Sequence, residues 1–399
     1  MRLLFTALAC LIGVSVFGQD LDYYFPEIGD DNWETETPEN LDWCVNEIDT
    51  LISMLDHNNT KAFLVLHNGK IILEEYFDDF TQDSSWAWFS AGKTIMAWNA
   101  LMASQDGLLN LDFPSSNYLG NNWSSCNSSQ ENQIKVFHHL TMTTGLNDDV
   151  EDLNCTDPIC LNFLEIPGTR WAYHNAPYSL LGEIIESATS QNLNSFTYQN
   201  LQQIGMSGIF IPIGDLLIFT SRPRDMARFG VLMQNSGNWN GSQLLNIDLF
   251  NDLVTPSQNI NQSYGYLWWL NGQNQFMLPG SQFEFNNSLF PNAPSDLICA
   301  LGKNGQLLHI SNSENLIVIR LGETPEGSTG NAYSFNYNLW ELLNPIINCK
   351  SPTNIEEACT NKSLIKIIDA LGKEANHTTN QILFHIYDDG SVEKKFIVE

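Results

Sequence analysis

The spacing of hydrophobic residues predicts a helix followed by a hairpin near the start of the chain. Residues 41–56, LDWCVNEIDTLISMLD, carry apolar side chains at helical spacing. Two apolar runs follow in AFLVLHNGKIILEEYF, and Asn68-Gly69 joins them. Asn-Gly between two such runs is the strongest short signal for a β-hairpin. A second helix is predicted from Ser90, with Gly107 as its stop.

A long polar region separates this hairpin from three further predicted strands. Residues 108–285 are rich in Asn, Ser and Gly, and the pattern predicts helices there, including 176–189 and 223–236. The runs LICALG, QLLHIS and LIVIRL follow as strands, and FNYNLWELLN predicts a closing helix near residue 344. Short connections imply antiparallel pairing. The prediction is an α+β fold: one five-stranded antiparallel sheet with terminal helices on one face, plus an inserted, mainly helical lobe. A cleft between the sheet and the lobe is the natural place for a site.

The pattern changes again from about residue 350. The runs SLIKIIDALGKE and QILFHIYDDGSVEKKFIVE are strand-like, and Asp389-Gly390 marks a turn between strands. The segment SPTN, from Ser351, is typical of a linker. A small C-terminal β unit of residues 349–399 is therefore predicted.

Composition and charge narrow the class of protein. The chain has 399 residues, of which 43% are hydrophobic, so it can bury a large core. Its formal net charge is −29. Such a charge repels phosphate groups, which makes nucleic acid and anionic membranes poor candidates for partners.

The first eighteen residues, MRLLFTALACLIGVSVFG, have the pattern of a secretory signal peptide. One arginine precedes a long apolar run that ends in small residues. An N-terminal membrane anchor is the alternative, but the run is short for a membrane span. No other stretch is long and apolar enough to cross a bilayer. We therefore expect residues 1–18 to be removed and the mature protein to be secreted or displayed on the cell surface.

Seven cysteines remain after residue 18, and cysteines of an exported protein can form disulfides. Cys155 and Cys160 are close enough in sequence to close one loop, and Cys349 with Cys359 could do the same. One thiol must stay free, and Cys299, in the apolar run DLICALG, is the best candidate. Zinc binding is the alternative, but no Cys-x-x-Cys pair or histidine cluster accompanies these cysteines.

The pattern Ser-x-x-Lys occurs three times, and local geometry separates the copies. Two of them, Ser363/Lys366 and Ser391/Lys394, lie in strand-like runs, where positions i and i+3 point to opposite faces. Only Ser90/Lys93 opens a predicted helix, which has Ile95, Trp98 and Met102 along one face. In a helix, positions i and i+3 share a face, so the Lys93 ammonium can lie beside the Ser90 hydroxyl. The unpaired N–H groups of a first helical turn also favour negative charge. The plainer interpretation of Ser90 is a helix N-cap.

Two later stretches are candidates to complete a site. In GTRWAYHNAPYSLLGEIIE, Tyr173 and Asn175 would project the same way from extended backbone just before a helix. In ALGKNGQLLHI, Lys303, Gly305 and Gln306 stand where a strand begins. A buried tyrosine, an N-cap asparagine and an ordinary turn would explain the same residues without any chemistry.

The order and spacing of the three stretches on this architecture resemble the serine β-lactamase and penicillin-binding-protein superfamily. The nearest resemblance is to its class C-like branch of esterases, D-aminopeptidases and 6-aminohexanoate-dimer hydrolases, and it covers roughly residues 40–345 of a domain that would span 19–348. The family motifs Ser-x-x-Lys, Tyr-x-Asn and, loosely, Lys-Thr-Gly are matched by Ser90 and Lys93, by Tyr173 and Asn175, and by Lys303-Asn304-Gly305.

The resemblance implies a serine hydrolase that acts on an ester or amide through an acyl-enzyme. Ser90 would attack the carbonyl, while Lys93 and Tyr173 share the proton transfers. A serine hydroxyl needs such a neighbour to take its proton. A free lysine titrates near 10.4, so lowering its pKa to about 7 costs roughly 4–5 kcal/mol. We expect burial and the second cation, Lys303, to supply that shift.

The resemblance assigns the remaining motif residues to the substrate. Asn175 would hold it, Lys303 would supply positive potential for Tyr173 or for a carboxylate of the substrate, and Gly305 would belong to the substrate-binding or oxyanion region. The backbone N–H groups of Ser90 and Gln306 would form an oxyanion hole. No metal and no organic cofactor is implied.

One departure from the family bears on the substrate. Asn304 stands where antibiotic-binding members carry Thr or Ser, whose hydroxyl grips a substrate carboxylate. An ester or linear amide is therefore favoured over a β-lactam or a D-Ala-D-Ala peptide. The other alternative is a non-catalytic surface protein that binds glycan or peptide in the same cleft. A Ser-His-Asp hydrolase is disfavoured because the chain has no Gly-x-Ser-x-Gly motif. His138 and His139 are assigned no chemistry.

The tail resembles the C-terminal sorting domains of the type IX secretion system. The shared features are LIKIIDALGKE and the closing IYDDGSVEKKFIVE. This resemblance implies secretion machinery as a partner and export across the outer membrane. An additional β domain without that role is the alternative.

Overall fold

The computed structural model describes residues 23–326, 332–349, 364–369, 375, 382–387 and 392–396. The predicted signal peptide of residues 1–18 lies outside these ranges. The chain divides into two compact units, with the boundary after Cys349. Within the described residues, no helix has both the length and the hydropathy needed to span a membrane.

The helices of the first unit are α1 (Ile48–His57), α2 (Lys93–Gln105), α3 (Ser116–Leu119), α4 (Ser128–Glu131), α5 (Val136–Leu140), α6 (Asn175–Thr189), α7 (Leu193–Leu201), α8 (Pro223–Gln234), α9 (Ile247–Leu253) and α10 (Ala332–Ile347). Its strands are β1 (Thr60–His67), β2 (Lys70–Tyr76), β3 (Trp86–Phe89), β4 (Ile209–Ile213), β5 (Leu216–Ser221), β6 (Asn238–Trp239), β7 (Ser242–Gln243), β8 (Trp269–Leu270), β9 (Phe276–Met277), β10 (Glu284–Phe285), β11 (Ile298–Gly302), β12 (Gln306–Ser311) and β13 (Leu316–Gly322). The predicted hairpin and the three late strands are all present.

The main sheet is antiparallel and has the strand order β2-β1-β13-β12-β11-β8. It therefore has six strands, and the prediction of five is wrong. The additional strand, β8, pairs Trp269 with Cys299 and Leu270 with Ile298. Two residues are too few to form an alternating pattern that a sequence analysis can detect.

Helices cover both faces of this sheet. Neighbouring residues of a strand point to opposite faces, so Leu308 and His309 of β12 mark the two sides. On the His309 side, Trp340 of α10 donates a hydrogen bond from Nε1 to His309 Nδ1 at 3.1 Å, and α1 packs against α10. On the Leu308 side lies α8, which approaches so closely that a Cβ on Gly230 would lie 2.7 Å from Ile317.

The helix after Ser90 is buried on all sides. Ser90–Gly92 form one 3-10 turn, and α2 follows directly. Every residue from Lys93 to Ala103 is buried, so the predicted apolar face is only part of what the helix buries. A helix that is buried all round is held in place by its neighbours, which gives the Ser90 turn a rigid base.

The cysteine pairing differs in part from the prediction. Cys155 and Cys160 form a disulfide. Cys349 is bonded to Cys44, 305 residues away in sequence, so the predicted pairing of Cys349 with Cys359 is wrong. The reason is tertiary: the Cys44 N–H donates to the carbonyl of Ile346, which brings the start of the α1 region to the end of α10. Cys359 lies outside the described residues. Cys126 and Cys299 are free and buried.

The C-terminal unit contains a three-stranded antiparallel sheet. Its strands are β14 (Leu364–Asp369), β15 (Ile382–Tyr387) and β16 (Val392–Phe396), in the order β14-β15-β16. The predicted linker and turn, Ser363 and Ser391 lie outside the described residues, while Lys366 and Lys394 lie within strands.

Candidate active site

The Ser90 turn begins with a strained residue. Phe89 ends β3 with φ of 49° and ψ of −130°. A bulky residue with positive φ costs on the order of 1–3 kcal/mol and persists only where its surroundings enforce it. This sharp change of direction moves the chain from the strand into the 3-10 turn and leaves Ser90 partly exposed at the start of the helical segment.

Lys93 lies next to the Ser90 hydroxyl and is itself shielded from solvent. Its Nζ donates to Ser90 Oγ at 3.3 Å, and the residue is 2% exposed. Below it is the ring of Tyr178, whose centroid is 4.1 Å from Nζ; the Tyr178 hydroxyl is held by the Leu217 carbonyl at 2.9 Å. Burial lowers the pKa of Lys93 from 10.5 to about 7. A large fraction of this amine is therefore neutral near pH 7 and able to accept a proton.

Tyr173 completes the contact around Ser90. Its hydroxyl is hydrogen-bonded to Ser90, which lowers its pKa, but burial has the larger effect and raises the pKa of Tyr173 to about 12. The ring stacks on Trp269 with centroids 6.0 Å apart and an interplanar angle of 17°. The short strand β8 therefore fixes Tyr173 in place. With these two pKa values, Lys93 rather than Tyr173 is the group that can remove the Ser90 proton at neutral pH.

Asn175 lies on the same side of the chain as Tyr173, because His174 between them is extended (φ −122°, ψ 121°). Its Nδ2 donates to Asn154 Oδ1 at 2.9 Å. Asn154 in turn donates from Nδ2 to Asp152 Oδ1 at 3.0 Å. An ionised carboxylate only accepts, so Asp152 fixes the orientation of both amides. Asn175 Oδ1 is left buried and without a hydrogen-bond partner.

The third motif lies directly beside the Ser90 turn. A Cβ on Gly302 would lie 2.3 Å from the Trp88 carbonyl and 3.1 Å from the Ala91 nitrogen, so β11 can approach this closely only with glycine at that position. Gln306 begins β12 fully buried; its side chain donates to the Gly322 carbonyl and accepts from the Gly322 N–H.

The turn Lys303–Gly305 is held from beneath by a buried arginine. Asn304 and Gly305 both have positive φ, 65° and 75°. Arg320 is 0% exposed and donates to the Asn304 carbonyl, and a Cβ on Gly305 would lie 2.9 Å from its guanidinium. The Asn304 side chain is engaged by the Thr324 hydroxyl at 2.8 Å.

Lys303 does not contribute to the lowered pKa of Lys93, contrary to the expectation from the sequence. Its side chain is exposed. Burial is the cause of the lowered pKa of Lys93, without a contribution from a second cation. Of the other predicted residues, Ser90, Lys93 and Tyr173 are brought together.

Three supporting residues were missed by sequence reasoning: Tyr178, Asn154 and Arg320. Tyr178 is the only one with a local signal, because it follows Asn175 by three residues and so lies one turn further along α6. Asn154 and Arg320 act across distances that no local pattern encodes. Among the described residues, no group of three or more His, Cys, Asp or Glu side chains is arranged to hold a metal ion.

Comparisons with known proteins agree with this architecture. The β-lactamase family model matches residues 51–215, a segment that includes Ser90, Lys93, Tyr173 and Asn175. No curated protein sequence matches the chain.

Several solved structures share the fold at low sequence identity. A Bacillus anthracis protein named as a 6-aminohexanoate-dimer hydrolase has a TM-score of 0.61 and 18% identity, over 79% of this chain and 88% of its own. A β-lactamase from Mycobacterium bovis has a TM-score of 0.54 and 15% identity, over 75% and 99%. A penicillin-binding protein from Bacillus halodurans has a TM-score of 0.53 and 16% identity, over 73% and 99%. The chain therefore has the β-lactamase/transpeptidase-like fold of serine hydrolases.

Proposed function

We propose that this protein is a secreted serine hydrolase that cleaves an ester or amide through an acyl-enzyme on Ser90. The observation that carries the proposal is the buried Lys93 amine, which touches Ser90 Oγ and has a pKa of about 7. A lysine with an ordinary pKa would be charged at neutral pH and could not act as a base.

The reaction follows from the placement of the groups. Neutral Lys93 takes the Ser90 proton while Oγ attacks the substrate carbonyl. The negative charge that forms on the carbonyl oxygen is received by the backbone N–H groups of Ser90 and Gln306. Removing one such donor typically costs on the order of 10²–10³ in rate. When the carbon–leaving-group bond breaks, Tyr173 passes a proton to the leaving group and is reprotonated from Lys93. Water then repeats the attack on the acyl-enzyme and restores Ser90. No step calls for a metal or an organic cofactor.

An ester or linear amide is the preferred substrate. Asn304 replaces the hydroxyl residue that would bind a β-lactam carboxylate, and its Oδ1 already accepts from Thr324. The alternative, a β-lactamase or D-Ala-D-Ala peptidase of the same fold, predicts turnover of nitrocefin, and such turnover would reverse this preference.

The direct test is hydrolysis of p-nitrophenyl acetate by the wild type and by Ser90→Ala. We expect the substitution to abolish hydrolysis while the circular dichroism spectrum is retained. Ser363→Ala, which alters another copy of the Ser-x-x-Lys pattern, is the matched control and should keep full activity. Equal activity of Ser90→Ala and the wild type would refute the serine-hydrolase proposal. No hydrolysis above the buffer blank by the wild type would instead favour a non-catalytic binding protein on this scaffold.

Export is a separate part of the proposal. It rests on the signal-like residues 1–18 and on the resemblance of the tail to type IX sorting domains. When residues 350–399 are deleted, the protein should remain inside the cells of a host that has this secretion system. Immunoblots of cells and medium measure this. Unchanged secretion would refute the sorting role.

A further inference from the structure

A short disulfide loop lies next to the start of α6, where Asn175, the residue expected to hold the substrate, stands. The bond joins Cys155 and Cys160, five positions apart in sequence. Asn154, which directly precedes this disulfide, accepts a hydrogen bond from Asn175 Nδ2 at 2.9 Å. Asn154 itself donates to Asp152 Oδ1 at 3.0 Å. The orientation of the Asn175 amide therefore depends on a residue that adjoins a covalent cross-link.

A second contact joins the same segment to the helix. The carbonyl of Leu153 accepts a hydrogen bond from the Ala176 N–H at 2.9 Å. The first N–H groups of a helix have no partner within it, so this bond supplies one from outside. The Ala176 amide consequently reports whether the segment before the disulfide is in place.

Polar contacts at the surface, rather than apolar packing, hold the disulfide loop against the protein. Thr156 donates from its N–H to Asp215 Oδ2 at 3.0 Å, and the Ser125 hydroxyl donates to the Pro158 carbonyl at 2.6 Å. Ile159, inside the loop, is 79% exposed. Segments with few buried apolar contacts open at little cost in free energy. Without the cross-link, the loop should therefore lose its fixed position.

The two disulfides differ in how much of the fold they constrain. The Cys44–Cys349 bond joins residues 305 positions apart, whereas the Cys155–Cys160 bond spans five. A cross-link stabilises mainly by restricting the unfolded chain, and it does so more strongly for a longer loop. Loss of the Cys155–Cys160 bond should therefore act locally and leave the fold intact. Both of its cysteines are partly exposed, so a small dissolved thiol can approach the bond.

We propose that the Cys155–Cys160 disulfide is a redox-responsive clamp that positions Asn175 for the substrate. Its reduction weakens substrate binding and leaves Ser90 and Lys93 in place. The inference rests on the proposed function and adds its regulation. Thiols are kept reduced in the cytosol and are oxidised after export, so the clamp confers full substrate affinity only outside the cell.

Reduction of the clamp requires a dithiol, which supplies the two electrons. One thiolate of the reagent attacks a sulfur of the disulfide, and the other sulfur leaves as a thiolate and takes up a proton. The second thiol of the reagent then displaces the remaining cysteine, which is also protonated, and closes the reagent's own disulfide.

The first test measures the hydrolysis of p-nitrophenyl acetate with and without the disulfide. In the Cys155→Ser/Cys160→Ser double variant, KM should rise about threefold to tenfold, as for loss of one orienting hydrogen bond, and kcat should change by less than about twofold. Dithiothreitol should produce the same change in the wild type, and its removal in air should reverse it. Cys44→Ser/Cys349→Ser is the matched control, which should have a lower melting temperature and the KM of the wild type. An unchanged KM after loss of the Cys155–Cys160 bond overturns the clamp.

A double-variant cycle tests whether the clamp acts through Asn154. In the Asn154→Ala background the orienting contact to Asn175 is already absent, so loss of the disulfide should raise KM by less than about twofold. A rise as large as that in the wild-type background would show that the disulfide acts by another route, and the proposal would be wrong.

Amide hydrogen exchange separates this inference from the proposed function. Reduction should speed the exchange of the Ala176 N–H by about tenfold, because the Leu153 carbonyl no longer holds it, and should leave the amides of α2 unchanged. If the wild type cleaves the ester and Ser90→Ala does not, but KM ignores the disulfide, the clamp is wrong and the hydrolase stands. If the wild type cleaves no ester, the hydrolase proposal fails and exchange alone decides the clamp: faster exchange at Ala176 supports it, and unchanged exchange overturns it.

Discussion

Replacing Lys93 by methionine should make the protein more stable and abolish its activity. Methionine has nearly the length of lysine without its charge, so it fits the space over the Tyr178 ring. The buried amine destabilises the fold, because the folded state must either lose the lysine proton or bury a charge.

The size of this effect follows from the pKa of Lys93. Burial lowers it from 10.5 to about 7. At about 1.4 kcal/mol for each pH unit, the cost to folding is about 4 kcal/mol at pH 7. The variant also loses the hydrogen bond to Ser90, which offsets about 1 kcal/mol of the gain in stability. Lys93→Met should therefore raise the free energy of unfolding by about 3 kcal/mol at pH 7.

The sign of the pH dependence provides an internal check. Between pH 7 and 10.5 the unfolded lysine holds a proton that the folded one has lost, so the stability of the wild type rises with pH. The free energy of unfolding of the wild type lies below that of Lys93→Met, and this difference should shrink by about 1.4 kcal/mol per pH unit over that window. Below pH 6 the difference should remain constant. Other titrating groups are common to both proteins and cancel in the comparison.

Urea unfolding monitored by tryptophan fluorescence at pH 6, 7, 8 and 9 measures both quantities. Lys303→Met is the matched control, since Lys303 is exposed and its replacement should change stability little. If Lys93→Met is no more stable than the wild type at pH 6, or if the difference does not change between pH 7 and 9, Lys93 is not a buried neutral amine and the reasoning fails.

Three further predictions concern the site itself. The kcat/KM for p-nitrophenyl acetate should rise about tenfold per pH unit below pH 7 and level off above pH 8, because Lys93 must be neutral to act as the base. A kcat/KM that does not change with pH around pH 7 would contradict this. Gly302→Ala should reduce kcat by about 10²-fold, because its Cβ would collide with the Trp88 carbonyl in β3 and crowd the Ala91 nitrogen in the Ser90 turn. Wild-type kcat in a folded variant would show that the close approach is unnecessary. Asn154→Ala should raise KM about tenfold with a smaller change in kcat, because Asn175 loses the partner that orients it; an unchanged KM would remove Asn154 from the site.

Local patterns were sufficient to predict the elements that position Ser90. The hairpin at Asn68-Gly69 and the helix that contains Lys93 follow from spacing within a few residues. The association of Tyr173 with Ser90 depends on tertiary structure, and the sequence indicated it only through the order of the motifs.

Contacts between distant segments account for what the sequence did not predict. The Cys44–Cys349 disulfide joins residues that are 305 positions apart, and β8, which supports Tyr173, is two residues long. The expected contribution of Lys303 to the pKa of Lys93 is wrong for a related reason: burial alone lowers that pKa, and sequence spacing does not report burial.

The measurement that addresses the catalytic assignment most directly is labelling with a fluorophosphonate probe at pH 6 and pH 8, followed by peptide mass spectrometry. The account predicts a single adduct on Ser90, formed about tenfold faster at pH 8 than at pH 6. An adduct on a different residue, or equal labelling of Ser90→Ala, would contradict it.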